Sequence, residues 1–138
     1  DIEQIINDTA IDSTQKVVLV NTRVGQGKFR EKLIKYWKGC AITGYKSTQF
    51  LVASHIKPWR ASDDKERLDG YNGILLLPNL DKAFDLGYIS FTEKGEIITS
   101  EFIESPQTLC IRENMNIAVV SQHQDYLAYH REVIFKNL

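Results

Sequence analysis

The chain has little cysteine, almost no net charge and no long apolar run, and each scarcity excludes something. Its two cysteines, Cys40 and Cys110, lie far apart with no Cys or His beside them at zinc-knuckle spacing. That argues against a structural zinc and against a disulfide framework, and leaves two buried, reduced thiols as the expectation. Seventeen Lys and Arg against eighteen Asp and Glu give a formal charge of −1. A protein that grips nucleic acid through one large positive field is thereby excluded, although a small catalytic module is not. No stretch approaches the ~20 apolar residues needed to cross a bilayer. No secretory leader is visible, so a cytoplasmic protein without membrane contact is expected. Low-complexity tracts and internal repeats are also lacking. The sequence starts at Asp1 rather than Met, which reads as a fragment or processed product.

What is present suits one domain of 138 residues with a real core, 43% of it apolar and 25% charged. Residues 1–15 read as a linker or docked segment, with Ile2, Ile5 and Ile6 on one side, and residues 16–138 as the domain proper. Lys16 to Asn21 has the β-branched content of a short strand. From Gly25 to Lys38, Phe29, Leu33, Tyr36 and Trp37 recur at helical spacing, and Gly39 reads as the terminator. Five cations and one acid fall between Lys28 and Lys38. The segment 40–44 reads as a strand turning into a second strand at 51–56, with the turn between about Gly44 and Thr48. Ser62 or Asp63 can cap a helical turn. Residues 74–77 read as a short buried strand, and 78–86 as a helix with Pro78 in its first turn and Gly87 beyond its end. A hairpin is expected around Glu93-Lys94-Gly95, a strand near 117–121, and a closing helix over 122–135.

The chemistry concentrates between Leu51 and Asp85. Phosphodiester hydrolysis needs a base to activate water, a cation to neutralise charge on the phosphate and leaving oxygen, and a frame that holds both in line. His55 is the first histidine in the chain, at a strand end where the chain must turn before Pro58. Near pH 7 an ordinary imidazole can accept a proton. Asp81 and Asp85 stand four apart, on one face of their helix, and carboxylates suit a hard cation. Taken singly, each has an ordinary structural explanation: a hydrogen-bonded surface His, a first-turn carboxylate favoured by the helix dipole, an Asn-Gly turn pair.

Their order and spacing together resemble the HNH endonuclease family. The similarity runs from about Gly25 to Ser100, through Gly25-Gln26, Phe29-Arg30 and Cys40-Ala41-Ile42-Thr43-Gly44. It continues through Ser54-His55-Ile56-Lys57-Pro58-Trp59 to Asn72-Gly73 and Leu80-Asp81…Phe84-Asp85. The resemblance implies an α+β fold with a ββα-metal core over about 40–87, flanked by an N-terminal helix, an added hairpin and a C-terminal helix. It implies His55 as the general base and Asn72 as its brace. Asp81 falls where the family's third motif has His or Asn, a metal ligand. Asp85 falls where some relatives have a second metal-binding His, and Ser54 where many have a ligating Asp or His. These departures favour Mg²⁺, with Mn²⁺ as the substitute, over softer metals. With no zinc-binding cysteines, Trp37, Leu51, Trp59, Leu75 and Phe84 must hold the core.

Arg30, Lys57 and Arg60 are the expected phosphate contacts. His123 and His130 fall outside the motifs, and His130 reads as a packing or hydrogen-bonded residue. The implied activity is DNA cleavage as the catalytic domain of a modification-dependent restriction or antiviral defence enzyme. The implied partners are DNA, an upstream specificity or sensor domain and, for double-strand cuts, a second copy. The competing readings are a catalytically weak nucleic-acid-binding domain of the same fold and a purely structural ββα domain.

Overall fold

The structure, a computed structural model, describes residues 2–137. Its longest element is helix α2, Ser13–Trp37, preceded by a short helix α1, Ile2–Asn7, that packs on it. Helix α2 starts twelve residues earlier than the periodicity suggests, so the strand expected at 16–21 does not form. The reason lies at Asp12. Its carboxylate accepts the Gln15 amide at 2.8 Å, and the Gln15 side chain returns a bond to the Asp12 amide at 3.2 Å. This capping box fixes the helix start. Strand preference mostly measures packing on a pleated surface, and Val17, Val18 and Leu19 instead lie exposed on the helix. Only Phe29 and Leu33 of α2 are fully buried; Trp37 packs partly against the core and Tyr36 stays exposed. The left-handed cap is Lys38 (φ 65°) rather than Gly39. Gly39 serves a different need, because a Cβ there would lie 2.9 Å from the Tyr45 carbonyl oxygen.

The central hairpin also differs from expectation. Residues 40–44 form a turn, closed by Gly44 N–H donating to the Cys40 carbonyl at 2.8 Å. Strand β1, Val52–His55, pairs antiparallel with β2, Gly73–Leu76, in the register Val52↔Leu76, Ser54↔Ile74 and His55↔Gly73. The connection is therefore the long loop 56–72, not a tight turn near Gly44. With its backbone curled at 40–44, that segment offers no ladder, and only the Ala41 amide reaches the Leu75 carbonyl, at 2.7 Å. Strand β2 is buried along its whole length, so its backbone groups need partners, and β1 provides them. The loop holds helix α3, Asp64–Leu68, capped by Asp63 as the sequence suggests.

Helix α4, Pro78–Asp85, follows β2 directly, with Pro78 in its first turn, where a missing N–H costs nothing. It turns Leu80, Ala83 and Phe84 inward. β1, β2 and α4 make the ββα core of an α+β fold. The expected hairpin is β3, Ile89–Phe91, with β4, Ile97–Thr99. The strand expected near 117–121 is reduced to a bridge between Glu96 and Asn116. Cys40 is buried and Cys110 exposed, which corrects the expectation of two buried thiols; both are free.

The chain closes with α5, Gln124–Tyr129, and a π turn over His130–Ile134. His130 is buried and stacks on Phe84 at 3.8 Å, with ring planes nearly parallel. Its Nε2 lies 2.8 Å from the Phe84 carbonyl and its Nδ1 2.8 Å from Ser90 Oγ. A carbonyl only accepts, so Nε2 carries the proton and Nδ1 accepts from the serine. Burial holds this imidazole down at about 4, from an ordinary 6.5, against the raising influence of the Phe84 carbonyl and Asp85.

A folded-state pKa below the unfolded value means the unfolded chain takes up the proton first. The stability from His130 is therefore complete above its ordinary pKa and is lost as pH falls from 6.5 toward 4. The loss should be on the order of 3 kcal/mol. His55 and His123, both lowered by burial, act in the same direction, whereas Asp81, raised by burial, opposes it. Urea midpoints across this range should fall for the wild type and fall less steeply for His130→Asn; a parallel fall in both would contradict the assignment.

Candidate active site

His55 ends β1, and three neighbours fix its ring. Phe29 of α2 stacks on it with centroids 3.8 Å apart and planes within 4°. Trp59 meets it edge-on at 5.9 Å. Its Nε2 stands 2.9 Å from the Arg67 carbonyl oxygen. Because that oxygen cannot donate, Nε2 carries the hydrogen and Nδ1 is left as the acceptor. Burial lowers the pKa of the ring; the hydrogen bond to Arg67 opposes this and the Arg67 cation adds to it. The result is a neutral imidazole at pH 7 with one lone pair available, the state a general base requires.

The loop that carries Trp59 and Arg67 is held by Asn72, which is fully buried. Its Oδ1 accepts the Lys57 amide at 2.8 Å. Its Nδ2 donates to the Glu66 carbonyl at 3.1 Å and lies 3.4 Å from both the Lys57 carbonyl and Ser62 Oγ. One side chain thus ties the start of the loop to its far helix. Arg67 completes the clamp: its Nε donates to the Trp59 carbonyl at 3.1 Å, and its guanidinium sits 4.2 Å from the Trp59 ring centre.

Ser54, His55, Arg60, Asp81 and Asp85 share a cleft of about 370 Å³. Asp81 is drawn in enough for burial to raise its pKa, and the Asp85 charge adds to the rise; the Ser54 hydroxyl, which donates to it, and Lys82 pull it down. Asp85 is exposed at the end of α4. Among the described residues there is no group of three or more His, Cys, Asp or Glu that could hold a metal. The cleft does supply two carboxylates and one hydroxyl, all oxygen donors.

The three phosphate-contact candidates are placed differently. Arg60 is exposed at the cleft. Arg30 donates to the Leu51 and Thr48 carbonyls, both at 2.6 Å, and so anchors the start of β1. Lys57 pairs with Glu66 at 2.9 Å and lies 5.3 Å from the Tyr129 ring. A phosphate contact from Arg30 or Lys57 must compete with these internal bonds. Sequence reasoning missed Arg67 and the service Phe29 gives to His55. Arg67 sits in a polar stretch with no periodic signal, and Phe29 reads as ordinary helical core.

Removing the Asn72 amide strands the buried Lys57 N–H and the Glu66 carbonyl. Asn72→Ala should cost roughly 2–4 kcal/mol, read as a lower urea midpoint at unchanged slope. A change below about 0.5 kcal/mol, the usual range for an inconsequential surface substitution, would show that the loop holds itself without this side chain.

A family model described as HNH endonuclease matches residues 40–92, the segment that contains β1, the loop, β2 and α4. Among solved structures, the chain is similar to one titled "Modification dependent TagI restriction endonuclease". That match has 19% identity and a TM-score of 0.50, over 73% of this chain. The alignment spans 35% of that enzyme's length, and at such identity it speaks to the fold. No curated protein matches the chain at significant similarity. With the family match lying over the His55 hairpin, its Asn72 clamp and the acidic helix, residues 40–92 form an HNH-type nuclease domain.

Proposed function

We propose that this domain hydrolyses DNA phosphodiester bonds with His55 as the general base and a divalent cation held mainly from α4. The observation that carries the reading is the fixed tautomer of His55. Its Nε2–H is committed to the Arg67 carbonyl, which leaves Nδ1 as the proton acceptor in a cleft shared with Asp81 and Asp85. Water positioned at Nδ1 loses its proton to the ring as it attacks phosphorus, and the Arg67 carbonyl stabilises the imidazolium that forms. Asn72 keeps the ring's partners in place during the step.

The residues present fit a hard cation. Asp81 is desolvated beside a second carboxylate, and apart from the His55 imidazole the donors of the cleft are oxygen. Mg²⁺ commonly binds through one or two carboxylates with water and substrate phosphate completing its shell, which two aspartates and Ser54 can satisfy. When bound, the cation supplies charge neutralisation at the phosphate and the leaving oxygen. Asp81 is the principal ligand in this reading and Asp85 the second. Ser54 orients Asp81 through its hydrogen bond. Mn²⁺ is the expected substitute.

Arg60, exposed beside His55, is the foremost phosphate contact; Arg30 and Lys57 contribute through the β1 start and loop they fix. By likeness to the TagI enzyme's title, the host protein is a modification-dependent restriction or defence enzyme. A specificity domain then supplies most of the DNA affinity, which accords with a net charge of only −1. Two copies would act together for a double-strand break.

Relaxation of supercoiled plasmid should require added Mg²⁺ or Mn²⁺ and stop with EDTA. His55→Ala should lower the rate by about 10²–10⁴-fold, Asp81→Ala should abolish cleavage, and Ser54→Ala should cost much less. Equal cleavage by wild type and His55→Ala would overturn the assignment. DNA binding without cleavage in the wild type would favour a binding domain of the same fold.

A further inference from the structure

We propose that Phe29 is a positioning residue for the base, and that residue 73 is glycine because Phe29 needs the space. The inference rests on the reading of His55 as the base. Three observations carry it. Phe29 lies against the His55 ring face to face, 3.8 Å between centroids and within 4° of parallel. Phe29 belongs to α2, outside the segment 40–92 that matches the family model, so the base is backed by an element beyond the ββα core. Gly73 is the register partner of His55, and a Cβ built on it would lie 2.5 Å from the Phe29 Cζ and 2.7 Å from a Leu33 methyl.

Gly73 has extended backbone angles (φ −155°, ψ 153°), which any residue can adopt. Its identity is therefore set by the side chains packed on it, the Phe29 ring first and the Leu33 methyls beside it, and not by the chain's own conformation. The two residues form one device. The missing side chain at 73 admits the Phe29 ring below the strand, and the ring closes one face of the imidazole. The Arg67 carbonyl fixes Nε2 in the ring plane, and Trp59 limits sliding from the edge. With the stack gone, the imidazole can rotate about its side-chain bonds, and Nδ1 leaves the line of attack. A misplacement near 1 Å is enough to cost about 10²-fold in rate.

The experiment uses the full chain, supercoiled plasmid and Mg²⁺. Phe29→Leu should lower kcat by roughly 10- to 100-fold while KM for DNA stays within about twofold, the pattern of a change confined to the transition state. Gly73→Ala should give a loss of the same kind. In the double variant the losses should combine to less than their product, because leucine at 29 relieves the closest of the clashes the new methyl makes, leaving only those with Leu33. Leu127→Ala, a core truncation in α5 away from the cleft, controls for lost stability and should keep the wild-type kcat where it is folded. In spectra of the protein without added metal, the His55 ring protons should move downfield in Phe29→Leu as the ring current is removed.

Wild-type kcat in Phe29→Leu, or an equal loss in Leu127→Ala, would overturn the positioning role. If His55→Ala is dead while Phe29→Leu cleaves normally, only the positioning role falls. If His55→Ala cleaves normally, the base assignment fails and the positioning role fails with it.

Discussion

The site depends on four hydrogen-bonding contacts made by one buried amide. Asn72 spans from the amide and carbonyl of Lys57, through Ser62 Oγ, to the carbonyl of Glu66. Without it, the long loop between β1 and β2 would be a flexible connection with an entropic closure cost. With it, the loop becomes a rigid bracket whose far end offers the Arg67 carbonyl to His55. The His55 ring is thus held from one side by a backbone oxygen and from the other by a helix that enters from outside the hairpin. Such preorganisation spares the site any reordering when the reaction begins.

Charge is distributed on the same plan. The neutral partners of His55 keep it an acceptor, while the acidic residues gather on α4 across the cleft. Cations on the surrounding surface are mostly committed internally: Arg30 to carbonyls, Lys57 to Glu66, Lys32 to the Leu68 carbonyl. They stiffen the frame more than they project a field.

The candidate site was legible in the sequence because it lies within one local stretch where order and spacing carry meaning. His55, Asn72, Asp81 and Asp85 converge because a strand pair and the helix after it are adjacent in the chain, and the α4 boundaries follow from Pro78 and the apolar pattern. What stayed hidden was set by contacts between distant segments or by local chemistry that outweighed propensity. The pairing of β1 with β2 was misread, because β-content alone does not choose a partner and 40–44 was nearer in sequence. Helix α2 ran on through a valine-rich stretch because the Asp12–Gln15 cap set its start. Phe29 looked like any core aromatic, since only the fold shows that what it covers is the imidazole. Cys110 looked buried by residue type, and its loop left it outside.

One consequence of the Asn72–Gly73 pair concerns the ageing of the protein. An asparagine followed by glycine is the dipeptide with the least steric resistance to ring closure, in which the glycine amide nitrogen attacks the side-chain carbonyl and ammonia is lost. Here Gly73 is extended in a strand and the Asn72 amide is gripped on both atoms, so the nitrogen and carbonyl are kept from the required approach. The same bonds that hold the 56–72 loop therefore protect Asn72 itself from deamidation. Chains that spend time with the 56–72 loop open would accumulate an aspartate or isoaspartate at position 72, and that lesion would keep the loop from closing again.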